Sequence, residues 1–168
     1  MGDEVFMKNN KLLATPLKNL DLPKQLLTAK QGMSLRNVHN MMCDCHVGSV
    51  LILAEDGSAA GIITERDFLF KIAGKGIDFD STLVDDYMTS HPTTVEHTAT
   101  LQQAMQCMNL GGFRHVIIVD EKNKVKTLIS IKDVLNFLYE FMSTADDGSQ
   151  AHELIESLEL PPLPVEVK

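Results

Sequence analysis

Residues 61–72 set two apolar positions, Ile62 and Ile63, against four polar ones, Thr64, Glu65, Arg66 and Asp67, and then return to Phe68, Leu69, Phe70 and Ile72. Residues 127–138 repeat the order: Leu128 and Ile129, then Ser130, Ile131, Lys132 and Asp133, then Val134, Leu135 and Leu138. The offset is 66 residues (133 − 67), and an ungapped echo at that offset runs from about residues 15–72 onto 81–138. Leu17 falls on Leu83, Leu35 on Leu101, Met42 on Met108, Val50 on Val116, Ile52 on Ile118 and Ile63 on Ile129. Repetition of the apolar positions predicts a duplicated core built from two copies of one supersecondary unit.

Each copy reads alike. A helix opens at Ser34 or Thr100, with Leu35, Val38, Met41 and Met42, or Leu101, Ala104, Met105 and Met108, at helical spacing. An apolar strand follows over residues 50–54 or 116–119. A turn comes next, in which Gly57 aligns with Asn123, the two residue types that best tolerate positive φ. A second strand ends at Ile63 or Ile129 and a final helix starts at once. An earlier strand is expected near residues 26–29 and 93–95. The fold class is α+β, two β-α-β-β-α repeats over residues 15–78 and 79–142. An N-terminal extension (1–14) precedes them and an acidic, proline-containing tail (143–168) follows.

The final helices carry more apolar surface than one core uses. Ile131, Val134, Leu135, Leu138 and Met142 form one stripe, with Phe137 and Phe141 on another face; in the first copy Phe68, Leu69 and Ile72 form the stripe and Phe70 lies off it. Burial on two sides is expected, against the other repeat or a second chain.

The polar cluster between strand and helix has two readings. Thr64-x-x-Asp67 and Ser130-x-x-Asp133 have the form of a capping box, which satisfies orphan N–H groups at a helix start. The same place suits an anion and a sugar, because the helix N-terminus favours negative charge and a carboxylate can accept from a ribose diol. Arg66 and Lys132, each beside the aspartate, would supply countercharge. Duplication alone does not decide, since a cap would be duplicated too.

Composition narrows the classes. A net charge of −8 argues against nucleic acid or an anionic membrane as the main partner. No run approaches the roughly 20 apolar residues of a membrane helix, and the first residues contain no apolar signal core, so a cytoplasmic protein is expected. Three cysteines, Cys43, Cys45 and Cys107, are odd in number and spaced unlike a disulfide framework or the usual paired zinc ligands, so packing or loop thiols are expected ahead of a metal or redox site. His91, His97 and His152 read as surface residues. No phosphate loop, metal-ligand set or local nucleophile–base signature is present, which points away from an enzyme. The tail from Ser143 ends in PPLP, a polyproline II former suited to docking on a partner or folding back on its own module.

Taken together, the repeat order, VDDYMTSHPTTVEHTATLQQAMQCM, FRHVIIVDE and the G-I-I-T-E-R-D ending resemble a tandem pair of CBS (cystathionine β-synthase) domains, a Bateman module, over roughly residues 15–142. The resemblance implies two pseudo-symmetric repeats packed through their sheets, with two clefts for adenosine-containing ligands: AMP, ADP, ATP or S-adenosylmethionine. By position it implies that Asp67 and Asp133 accept the ribose hydroxyls and that Thr64 and Ser130 lie near ribose or phosphate. It places Arg114 and His115 against phosphate, and the adenine around Thr28, Ala29 and Val50 in one half and Thr94, Val95 and Val116 in the other. Gly48 and Ser49 stand where the second repeat has Arg114 and His115, and Thr127 stands where the first has Gly61, so the two sites are expected to differ. The implied role is a stand-alone nucleotide-sensing regulatory module that forms a homodimer and signals to a protein target. The rivals are a ligand-free pair that only dimerises or docks and, third, a metal or redox sensor built on the cysteines.

Overall fold

The structure, a computed structural model, describes residues 12–24 and 26–143. The elements run β1 (Thr28–Lys30), α1 (Leu35–Cys45), β2 (Ser49–Leu53), β3 (Ala59–Thr64) and α2 (Glu65–Asp67), which passes directly into a π-helical turn, Phe68–Ile72. Then come β4 (Thr89–Ser90), β5 (Thr94–Glu96), α3 (Leu101–Gly111), β6 (His115–Val119), β7 (Val125–Ser130) and α4 (Ile131–Ser143). Short 3₁₀ turns, Leu17–Asn19 and Val84–Asp86, lie 67 residues apart, within one residue of the repeat offset. The α+β class and the β-α-β-β-α order of both copies stand as expected. The early strands lie at Thr28–Lys30 and Thr94–Glu96, one or two residues beyond their predicted starts.

Both helices that lead into the central hairpins start and stop by the same chemistry. Ser34 Oγ accepts from Asn37 N, and Thr100 and Gln103 form a full capping box. Each ends on a left-handed residue at the equivalent place, His46 (φ 53°) and Gly112 (φ 64°). In the hairpin turns Ala54 N donates to Ser58 O and Gly57 N to Ala54 O; Asp120 N to Lys124 O and Asn123 N to Asp120 O repeat these two bonds 66 residues later. Gly57 and Asn123 both have positive φ, 80° and 59°, as the turn reading predicted.

The strands form two sheets, in the orders β1-β2-β3-β4 and β5-β6-β7. β1 is parallel to β2, and β2 is antiparallel to β3, with Ser49 opposite Thr64 and Val50 opposite Ile63. β4 was not foreseen; it pairs antiparallel with β3, Ser90 opposite Gly61.

Contacts divide the described residues into two compact units. One comprises residues 21–97 and 116–129. Its core collects Ala29, Leu35, Val38, Met42, Val50, Ile52, Ile63, Ile72 and Val84. Leu51, on the opposite face of β2, packs with Ile117 and Val119. Thus β2 is buried on both faces, and its run of four apolar residues needs no alternation. The 3₁₀ segment closes this unit, with Leu35 N donating to Thr82 O and Val84 N to Met33 O. The other unit comprises residues 12–20, 98–115 and 130–143. There Leu17 N donates to Ala99 O and Leu101 N to Thr15 O, and Leu17, Leu101, Ala104, Met105, Met108, Val134 and Leu138 are buried.

Two expectations about the final helices are corrected. After Asp67 the first copy does not continue as a regular helix: Ala73 N donates to Phe68 O, five residues back, and Gly74 and Gly76 at positive φ stop it. In α4, Val134 and Leu138 are buried, but Ile131 and Leu135 are exposed and line up with exposed Tyr139 at i, i+4 and i+8. The second apolar face is therefore Ile131, Leu135 and Tyr139, while Phe137 is half-buried. The side chains of Phe141 and Met142, and the tail beyond Ser143, lie outside the described residues.

Gly61 does not leave an open space: a Cβ there would stand 2.2 Å from Met88 Sδ and 2.8 Å from Met88 Cγ. Gly61→Ala is expected to destabilise the fold by about 1–3 kcal/mol, the usual cost of overpacking. Urea unfolding checks this; an unchanged midpoint would mean that Met88 is not fixed against β3.

Candidate functional site

In each repeat a strand turns into a helix without an intervening loop, and the chain must satisfy the N–H groups that the helix start leaves unpaired. Both repeats do so identically. Asp67 Oδ2 accepts from Thr64 N and Thr64 Oγ1, both at 2.8 Å, and Asp67 N donates to Thr64 Oγ1 at 3.3 Å. Asp133 Oδ2 accepts from Ser130 N at 2.7 Å and Ser130 Oγ at 2.6 Å, and Asp133 N donates to Ser130 Oγ at 3.3 Å. The cap reading is thus correct for both, and it consumes only one oxygen of each carboxylate.

The second oxygens differ. Lys71 Nζ lies 2.8 Å from Asp67 Oδ1, and the same ammonium donates to Tyr87 O at 3.0 Å and Thr89 Oγ1 at 3.5 Å. Asp67 is buried, 8% exposed. Asp133 is half-buried, and its Oδ1 has no hydrogen bond or ion pair among the described residues. The position 66 residues after Lys71 is Phe137, which has no charge to offer.

The strand facing each junction is fixed by one backbone bond. Glu65 N donates to Gly48 O at 3.0 Å, and Ile131 N donates to Arg114 O at 2.9 Å. The second bond sets the exposed Arg114, and His115 next to it, beside Ser130 and Asp133. At the first junction a Cβ on Gly48 would stand 3.2 Å from the Glu65 carboxylate carbon, so an acid side chain lies over the glycine. The basic pair of one repeat is replaced in the other by a glycine under a carboxylate.

The remaining candidates are placed as follows. Arg66 and Lys132 are exposed beside their aspartates. Thr28 lies half-buried on β1 opposite Leu51, while Ala29 and Val50 are core residues whose side chains offer no face to a ligand. Thr94 is exposed and Val95 half-buried on β5, opposite Ile117 and Ile118; Val116 is fully buried. Of these six candidates, Thr28, Thr94 and Val95 keep exposed surface. Thr127 is buried, and its hydroxyl donates to Pro23 O at 2.6 Å, so its β-branched side chain serves an internal contact. Glu65, Lys71 and Met88 were not picked out in the sequence as site residues. The signal was available: at the 66-residue offset Glu65 falls on Ile131 and Lys71 on Phe137, each a charge where its echo is apolar.

The cysteines are less buried than packing thiols. Cys43 and Cys45 are exposed and Cys107 is half-buried. Cys43 Sγ lies 3.7 Å from His39 Nε2 on the wall of a cavity of about 670 Å³ that Met42, Phe68 and Phe79 also line. Among the described residues no three His, Cys, Asp or Glu side chains are grouped so as to hold a metal ion. His91 is exposed, but His97 is half-buried, with a buried Nδ1 that meets no hydrogen-bond partner among the described residues; His152 lies outside them. No helix among the described residues is long and apolar enough to cross a membrane.

Residues 84–140 match the CBS domain family. A CBS-domain containing protein from Agrobacterium tumefaciens is 30% identical, with a TM-score of 0.60 over 67% of this chain and 89% of that one. A CBS domain protein from Pyrobaculum aerophilum, solved complexed with AMP, is 22% identical, with a TM-score of 0.64 over 80% of this chain and 95% of that one. An uncharacterised protein of Methanopyrus kandleri is 34% identical over 53% of this chain and 45% of its own length, so the chain spans about half of that curated relative. The fold is that of a CBS-domain pair, and the chain belongs to the CBS-domain family.

The two junctions should respond differently to loss of the carboxylate. Asp133→Ala removes a cap contact and is expected to cost about 0.5–2 kcal/mol. Asp67→Ala also leaves Lys71 without its anion and is expected to cost more. Paired urea titrations check the order; equal costs would mean that the Lys71 contact contributes nothing.

Proposed function

We propose that the chain is a regulatory module that binds an adenosine-containing ligand at a strand–helix junction and passes the bound state to a protein target. The observation that carries the reading is the half-used carboxylate of Asp133. One oxygen closes the start of α4, and the other is available to accept from ribose hydroxyls. Arg114 and His115 supply basic groups next to a helix N-terminus, a combination suited to phosphate. Lys132 adds positive charge from the first turn of the same helix. The AMP of the Pyrobaculum neighbour supports the ligand class by analogy of fold. AMP, ADP, ATP and S-adenosylmethionine all contain the adenosine that these contacts would meet, and the first three add the phosphate that Arg114 favours.

A ligand that binds only the folded chain stabilises it by RT ln(1 + [L]/Kd), about 2.7 kcal/mol at a hundredfold excess over Kd. A rise in melting temperature with AMP, ADP or ATP is therefore expected for the wild type, and its loss is expected in Asp133→Ala. No rise with any of these ligands or with S-adenosylmethionine would leave the docking module in its place, since both capping boxes are complete without a ligand.

The same reading includes a homodimer. Leu69 and Phe70 are 64% and 71% exposed in one unit, and Leu135 and Tyr139 are 58% and 71% exposed in the other. Large apolar side chains grouped on helical faces mark association surfaces. Sedimentation at micromolar concentration is expected to give a dimer mass that falls in Leu135→Glu with the fold retained. A monomeric wild type would remove this part of the reading.

A further inference from the structure

The two junctions share a cap and an exposed basic residue beside the aspartate, Arg66 or Lys132, yet differ in the other charges around the carboxylate. At the first, the acceptor that a ribose would use, Asp67 Oδ1, is filled by Lys71 at 2.8 Å. That ammonium is itself held by Tyr87 O and Thr89 Oγ1, so it is tied to β4 rather than waving in solvent. Where a phosphate would look for a basic pair there are Gly48 and Ser49, and the Glu65 carboxylate lies over Gly48. Like charge at that range opposes an anion. At the second junction the equivalent residues are Phe137 for Lys71, Ile131 for Glu65, and Arg114 and His115 for the missing pair.

We infer that the chain has one nucleotide site, at Ser130–Asp133, and that Lys71 and Glu65 close the first junction. Lys71 acts as a built-in occupant of the carboxylate, and Glu65 as the group that rejects phosphate. The first junction is then a strut joining the strand–helix corner to β4, and the duplicated design carries one sensing copy and one structural copy. The inference rests on the adenosine reading above and specifies which copy performs it.

Equilibrium dialysis with AMP as the probe tests both. Wild type is expected to take up one AMP per chain, and Asp133→Asn to lose it with at least a tenfold weakening. A transplant of the second junction into the first, combining Gly48→Arg, Ser49→His, Glu65→Ile and Lys71→Phe, is expected to raise uptake to two per chain. Glu65→Ile is included because its carboxylate would crowd any side chain at position 48. A second measurement needs no ligand and does not depend on the transplant folding. In thermal melts Lys71→Met and Asp67→Asn together should lower the midpoint no further than the larger single change. Two AMP per wild-type chain, or additive midpoint shifts, would overturn the closed first junction while leaving the adenosine reading standing. One AMP per chain that survives Asp133→Asn would overturn the assignment of the site. No uptake of AMP by wild type, with none of ADP or ATP, would overturn the adenosine reading and this inference with it.

Discussion

The organisation of the molecule depends on one hydrogen-bonding constraint: a strand must become a helix within a single residue. The helix leaves its first N–H groups without intrahelical partners, and no loop is present to turn them toward water. One carboxylate three residues into the helix meets the need by bonding back to the last strand residue, as Asp67 does to Thr64 and Asp133 to Ser130. The geometry that satisfies the backbone also fixes each carboxylate in space. A carboxylate has two oxygens, and the cap uses one. The other oxygen meets Lys71 at one corner and no hydrogen bond or ion pair among the described residues at the other, which is the difference on which the proposed site rests.

Much of this was legible in the sequence because the constraint is local and repeated. The 66-residue offset, the capping-box spacing and the turn pair Gly57 and Asn123 are short-range signals, and each appears in the structure where it was expected. The failures are those of long range. β4, two residues long, has no sequence signature of its own and exists because β3 offers it an edge. The stripe on α4 was assigned from period alone, which groups Ile131 and Leu135 with Val134 and Leu138; only packing separates the exposed pair from the buried one. The regular helix expected after Asp67 yields to a π-helical turn and two glycines, a local termination that its apolar residues masked.

The candidate site was legible in outline and less so in charge. Thr64, Asp67, Ser130 and Asp133 follow from spacing, whereas Arg114 and His115 came only from the resemblance to the CBS pair. Ala29, Val50 and Val116 illustrate a different limit. Their apolar character is equally that of a ligand wall or a core, and burial assigns their side chains to the core. The space at Gly61 was similarly ambiguous: absence of a Cβ invites either a ligand or a neighbouring side chain, and Met88 fills it.

The two copies differ most informatively where one has a charge and the other does not. An apolar position that recurs at the offset is explained by the shared core, and so carries little information about function. A charge with an apolar echo is not explained that way, because a duplicated core needs no charge at that place. Lys71 against Phe137 and Glu65 against Ile131 are two such positions, and both lie at the same corner. Lys71 neutralises the acceptor while Glu65 adds the wrong sign for phosphate, so each change works against the same ligand, and neither is needed to keep the capping box, which Asp133 and Ser130 form without them. Under the one-site proposal, unequal charge on equally capped junctions is the feature that separates a corner held to β4 from one with a carboxylate oxygen to spare.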